Sequence, residues 1–183
     1  MMKINIANET GKLSAVIVGI ADDFGGIPKL EECYDPKSKA HIITGTYPAE
    51  KDCIGEINAL VYVLENNGVE VFRPKNINGL NQIFSRDIAF VIADKLVLPN
   101  IIDNRKEEAS AIDDVISQIS SECQILKIPA EARMEGGDVM PLNECVFVGY
   151  SEKEDFEKYI VSRTNRAGLD FLKDTFPNKK VKG

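Results

Sequence analysis

The strongest constraint on this chain is a repeat. An acidic tract that leads into a β-hairpin occurs twice at a fixed offset. The first tract, Asn81-Gln82-Ile83-Phe84-Ser85-Arg86-Asp87, runs into IAFVIADKLVLP. The second, Met134-Glu135-Gly136-Gly137-Asp138, runs into VMPLNECVFVG. Asp138 follows Asp87 by 51 residues, and both open comparable strand pairs. A carboxylate that returns at the same structural point implies a fold assembled from copies of one supersecondary unit. It also implies a site for a cation.

Composition narrows the class. At 183 residues the chain suits a single domain with a real core, residues 1–183. Apolar residues make up 44% and charged residues 28%, as in a soluble globular protein. The net charge of −7 argues against nucleic acid or an anionic membrane as partner. No apolar run reaches membrane-spanning length, and the N-terminus has no secretory apolar core. Cys33, Cys53, Cys123 and Cys145 form no C-x-x-C pair, and His41 is the single histidine. A Cys/His metal site is therefore not expected, nor is a cofactor. The expected setting is cytoplasmic, with reduced thiols.

Pattern reading places the elements. Leu13–Gly19 is apolar and β-branched, and predicts a buried strand. Residues 20–50 read as a long irregular stretch with Gly25-Gly26 and three prolines. Ile54, Ile57, Leu60, Val61 and Leu64 mark one helical face, stopped at Asn67-Gly68. Val69–Phe72 predicts a strand, and Ile88–Ile92 with Leu96–Leu98 predicts the first hairpin. A second helix is expected from Asn104, with Glu107 closing a capping box, and a strand over Ile125–Ile128. After the second hairpin a third helix is expected from about Asn165 to Phe176, ending before Pro177. The unit is strand, acidic tract, hairpin, helix, and a third tract at the same spacing would fall beyond Gly183.

A guanidinium is a planar, permanently charged cation that two carboxylates can grip from two edges. Asp87, Glu135 and Asp138 are candidates for such a clamp if the hairpins meet around one axis. The competing reading makes them strand-entry acids that serve turns and caps. Gly136-Gly137 lets backbone approach closely, or is simply a turn. Arg105 lies in the first turn of the expected helix, where the dipole disfavours a cation. It is a candidate anchor for a substrate carboxylate, or an ordinary solvated arginine. Arg163 is a second such candidate, with Thr164 or Asn165 as the helix cap.

These motifs resemble the guanidino-group-modifying superfamily of arginine deiminases, dimethylarginine dimethylaminohydrolases and amidinotransferases. The matching elements, in order, are N-Q-I-F-S-R-D, N-R-K-E-E (Arg105 to Glu108), M-E-G-G-D, and V-F-V-G-Y-S with S-R-T-N. The opening strand L-S-A-V-I-V-G fits as well, and the likeness spans about Leu13 to Phe176. The resemblance implies an α/β pentein, a pseudo-fivefold propeller of ββαβ units, here incomplete with roughly three units. It implies that Asp87 and Glu135 bind the guanidinium and that Asp138 supports the site, with Glu135 and Asp138 assigned to the catalytic set. Asn81, Arg105 and Arg163 would hold the substrate's carboxylate end or shape the pocket.

In that superfamily a thiolate attacks the guanidino carbon and a histidine of an H-x-D element shuttles protons. This sequence departs there. His41 is followed by Ile-Ile, and no cysteine matches the nucleophile's place. The chain is thus expected to be the N-terminal, substrate-binding portion of an amidinotransferase or amidinohydrolase, inactive by itself. The alternative is a non-catalytic pentein binding or assembly module. The expected partner is a small guanidino compound, and the unpaired strand edges of an incomplete propeller invite self-association. An insertion-like stretch, Glu152–Ile160, lies between Ser151 and Arg163.

Overall fold

The computed structural model describes residues 3–119, 121–152 and 162–183, so residues 153–160 of the insertion-like stretch lie outside the described residues. The chain divides into two compact units. One comprises Leu13–Ser85 and Ser110–Val115, the other Met1–Lys12, Arg86–Ala109 and Ile116–Gly183. No helix among the described residues is long and apolar enough to cross a membrane.

In the first unit β1 (Ala15–Ile17) pairs in parallel with β2 (Glu70–Phe72), from Ala15 opposite Glu70 to Ile17 opposite Phe72. Parallel neighbours need a long crossover. Two helices lie on it, α1 (Pro36–Thr44) and α2 (Glu50–Asn66). The segment 20–50, expected to be irregular, therefore contains a helix. Its signals are local: Asp35 caps it by accepting from Lys37 N and Ser38 N, Pro36 opens it, and Gly45 closes it at φ 68°. None of its residues is buried, so hydrophobic periodicity left no trace of it.

The second unit shows the repeat directly. Strands β3 (Phe90–Ile92) and β4 (Lys95–Leu98) form an antiparallel hairpin, and β5 (Gln124–Lys127) adds in parallel to β4. Strands β6 (Val139–Leu142) and β7 (Cys145–Val148) form the second hairpin. After α3 (Arg166–Thr175), β8 (Lys180–Lys182) adds in parallel to β7. Each sheet is mixed in the same way, hairpin first and parallel strand last. Even the hairpin turns correspond, because Ala93 and Asn143 both take φ 53°.

Alternation along β6 and β7 turns Val139, Val146 and Val148 inward, while Met140, Leu142 and Phe147 face out. The inward residues join Phe90, Ile92, Val97 and Met134, and α3 closes this core with Leu169 and Leu172. The start of α3 is set by Asn165. Its Oδ1 accepts from Gly168 N at 2.9 Å and Arg133 N at 3.0 Å, and its Nδ2 donates to Glu131 O.

The expected α-helix from Asn104 is corrected by the structure. Asp103–Ile112 winds as a 3₁₀ helix, followed by one α turn, Asp113–Ile116. In 3₁₀ geometry side chains three apart eclipse. That stacks Arg105 over Glu108 and lets the two meet as a buried bidentate pair.

Asn165 anchors both the helix and the loop that precedes Glu135. Asn165→Ala is expected to lower stability by about 1–2 kcal/mol in denaturant unfolding. An unchanged midpoint would show that the cap carries no such load.

Candidate functional site

Arg86 and Asp87, which end the first tract, meet the second tract within the second unit. A single helical turn, Ser85–Ile88, presents Arg86 and Asp87 immediately before β3. A 3₁₀ turn, Gly136–Asp138, follows Glu135 and leads into β6. The tracts hold each other reciprocally. Arg86 Nε donates to Gly136 O at 3.0 Å, and Arg86 Nη2 donates to Val139 O at 2.5 Å. In return Gly137 N donates to Asp87 Oδ1 at 3.1 Å.

This contact explains the glycine pair. A Cβ on Gly136 would sit 2.1 Å from Arg86 O, and one on Gly137 would sit 2.6 Å from Asp87 Oδ1. The first of these is backbone and cannot swing aside. The glycines are there so that the two tracts can touch.

Arg105 sits among the acids. Its Nε and Nη2 donate to the two oxygens of Glu108 at 2.9 and 2.6 Å. Its Nη1 donates to Asp87 Oδ2 at 2.6 Å and to Glu135 Oε2 at 3.3 Å. Arg163 approaches the same Glu135 oxygen, Nη1 to Oε2, at 2.8 Å. Asp138 is turned to the segment before α3, where its Oδ2 accepts from Arg163 N at 2.9 Å and from Thr164 Oγ1 at 2.8 Å. Thr164 Oγ1 in turn accepts from Glu135 N at 3.4 Å.

The cluster is deeply buried. Side-chain exposure is 5% for Arg105, 7% for Glu108 and 4% for Glu135, rising to 16% for Asp87 and 20% for Arg163. Burial raises the carboxyl pKa of Glu135, with Arg163 and Arg105 opposing it. Burial likewise raises Glu108 against the pull of Arg105, and raises Asp138 against hydrogen bonds from Thr164 and the Arg163 backbone. For Arg105 burial alone would lower the pKa, but Glu108 first, then Asp87 and Glu135, outweigh it and raise it. Arginine has no neutral form within reach, so the desolvation cost falls on the carboxylates.

Four carboxylates, Asp87, Glu108, Glu135 and Asp138, here meet two guanidinium groups, Arg105 and Arg163. Among the described residues the acids are in excess, and Glu135 Oε1 is buried with no hydrogen-bond partner among them. A buried carboxylate oxygen without a donor is costly. Such an arrangement can accept a further cation, and a planar cation with several N–H groups suits it best. Among the described residues no group of three or more His, Cys, Asp or Glu side chains could hold a metal ion.

Of the residues singled out in the sequence, Asp87, Arg105, Glu135, Asp138 and Arg163 come together here. Arg105 and Arg163 point at the acids, where the sequence reading had them facing a substrate carboxylate. Asn81 lies in the first unit, where its Oδ1 accepts from Ile83 N at 3.2 Å. Three contributors were given no part in the site by the sequence reading. Glu108 was signalled by its i,i+3 offset from Arg105, a spacing at which opposite charges pair. Arg86 neighbours Asp87, but nothing local shows that it reaches carbonyls 50 residues on. Thr164 read as a helix cap, and its hydroxyl instead links Asp138 to the Glu135 backbone.

Comparisons with known proteins agree with this architecture. The chain is 36% identical over 99 residues to the uncharacterized protein YkgA of Bacillus subtilis (strain 168), a match covering 52% of this chain and 33% of that protein. Among solved structures it resembles SxtG, an amidinotransferase from Microseira wollei, with a TM-score of 0.72 at 19% identity, over 97% of this chain and 61% of that one. The inosamine-phosphate amidinotransferase from Streptomyces griseus gives 0.71 at 16% identity, again over 97% and 61%. DDAH from Pseudomonas aeruginosa, complexed with citrulline, gives 0.68 at 14% identity, over 93% and 60%. The chain thus spans about a third of the length of its curated relative and about three fifths of these solved chains. The structural likenesses show the fold, an α/β pentein with mixed sheets. A family model described as N,N dimethylarginine dimethylhydrolase, eukaryotic, matches residues 43–176, and the chain belongs to that family, within the guanidino-group-modifying superfamily.

Proposed function

We propose that this chain binds the guanidinium group of arginine or a related guanidino compound at Asp87 and Glu135. It is the substrate-holding portion of an amidinotransferase or amidinohydrolase machinery. The observation that carries this reading is the buried surplus of carboxylate, expressed at Glu135 Oε1. An incoming guanidinium would supply N–H donors to that oxygen and offset the excess negative charge. Asp87, at 16% exposure, is more open than Glu108 or Glu135 and would meet the ligand first. Asp138 positions Glu135 through Thr164, and Arg105 with Glu108 keeps the acids from moving apart. One structural neighbour supports the ligand class by its bound compound, the N-terminal domain of ArgZ, an arginine dihydrolase bound to its substrate.

The same observations support a chain that binds without turning over. The superfamily chemistry needs a thiolate against the guanidino carbon and a histidine to move protons. His41 is exposed at the end of α1, where its Nδ1 meets Thr46 Oγ1 at 2.9 Å. Among the described residues, the hydrogen bonds and ion pairs of Asp87, Glu135 and Asp138 involve no cysteine or histidine. Purified chain incubated with arginine is expected to release no urea, ammonia or citrulline, and measurable turnover would overturn this part of the proposal.

Calorimetry with L-arginine tests the binding itself. Heat of binding is expected for the native chain, with affinity at least about tenfold weaker, or 1.4 kcal/mol, in Asp87→Asn and in Glu135→Gln. A native chain that gives no heat, or variants that bind as well as it does, would remove the assignment. Binding is also expected to depend on pH in one direction. Because burial raises Glu135 and Asp138, part of the population stays protonated somewhat above the ordinary carboxylate range of about 4. A guanidinium favours the ionised form, so binding releases protons and tightens as pH rises through the raised values. Titrations in buffers of different ionisation enthalpy should show that release, and buffer-independent heats with flat affinity would contradict it.

A further inference from the structure

We infer that the N-terminal arm, residues 3–12, is a strap that positions the acid site, acting through Glu9 on Arg86. The inference rests on the guanidinium-binding reading above for its functional readout, but its geometry stands on separate contacts.

The arm behaves as an extended edge. Ile4, Ile6 and Asn8 are half-buried, while Lys3, Asn5, Ala7 and Glu9 are exposed, an alternation of period two. It ties the two repeats at their equivalent turns. Ile6 and Ala93 exchange both backbone hydrogen bonds at 2.8 Å, and Asn143 N donates to Ala7 O at 2.8 Å. Asn8 Nδ2 donates to Asn143 Oδ1, also at 2.8 Å. The arm thus sets the register of the first hairpin against the second at the turn ends.

Glu9, next along the arm, forms an ion pair with Arg86 Nη2. The Arg86 side chain is 48% exposed, so without a partner at the rim water competes for its guanidinium. Held by Glu9, the same guanidinium donates to Gly136 O and Val139 O, the carbonyls that bracket Gly137 and Asp138. Those bonds fix the turn that follows Glu135 and carries Asp138. Arg86 also precedes Asp87 in sequence, and Asp87 accepts from Gly137 N within that turn. One surface ion pair therefore governs how firmly both acidic tracts are aligned. An exposed pair contributes little to global stability. Its effect is local, on the geometry of Glu135 and Asp138, which makes Glu9 and Arg86 positioning residues.

The full chain carrying Glu9→Gln, Arg86→Gln, Arg86→Lys or the double change Glu9→Gln with Arg86→Gln tests this by two readouts. The first is amide hydrogen exchange at Gly137, referenced to Leu169, whose N donates to Asn165 O inside α3. Glu9→Gln should speed exchange at Gly137 by about threefold with Leu169 unchanged, and should add nothing when Arg86 is already Gln. Arg86→Lys should behave like Arg86→Gln, because an ammonium keeps the charge but lacks the planar fork that spans two carbonyls. The second readout is arginine affinity, which should weaken in parallel. Unchanged exchange at Gly137 in Glu9→Gln would overturn the inference. So would equal acceleration at Leu169, additive effects in the double variant, or rescue by lysine. If the native chain binds no arginine, the guanidinium-binding reading fails while the exchange data still decide the strap.

Discussion

The buried acids of the second unit are arranged around one guanidinium that belongs to the chain itself. Arg105 brings Asp87, Glu108 and Glu135 to a common point, and each comes from a different stretch of sequence. Without that cation, carboxylates this close would repel one another in a medium of low dielectric. Removing one member of such a buried set typically costs about 3–5 kcal/mol, because the remaining charges lose their compensation. The arginine is therefore a condition for the site to exist in folded form. Even so it does not neutralise the acids it gathers. Arg163 adds a second positive charge, and the cluster still carries more carboxylate than guanidinium.

That imbalance links fold to function. A repeat supplies one acidic tract per unit, and the pentein arrangement directs successive tracts to one region. Burial is the main cause of the upward pKa displacement of Glu108, Glu135 and Asp138, and the nearby charge of Asp87 adds to it. A site balanced by its own arginines would be inert. One left in deficit of positive charge has affinity for a cation and pays for it in stability. The family to which the chain belongs processes guanidino compounds.

How much of this was legible in the sequence follows from how local each signal is. The hairpins β3–β4 and β6–β7, the helices α2 and α3 and the Asn165 cap rest on periodicity and cap chemistry within a few residues, and they stand where the pattern put them. The convergence of Asp87, Glu135 and Asp138 was legible as a repeat. The helix Pro36–Thr44 was not read, because it buries nothing and only its Asp-Pro start and Gly45 stop mark it. Within the 3₁₀ stretch Asp103–Ile112, Arg105 pairs with acids 18 residues before it and 30 residues after it. No window of helical propensity holds that information. For the same reason the inward turn of Arg105 and Arg163 was not legible, since a side chain's partner is chosen by tertiary proximity.

The close approach at Gly136 has a consequence for what the chain tolerates there. With Arg86 O 2.1 Å from where a Cβ would be, the backbones of the two tracts are already in van der Waals contact. Peptide atoms thus limit how near the tracts can come, and they do not rotate away as side chains do. The carboxylates of Asp87 and Glu135 still turn on their own torsions, but the backbones that carry them cannot approach further. That limit is specified by two side chains that the sequence leaves out.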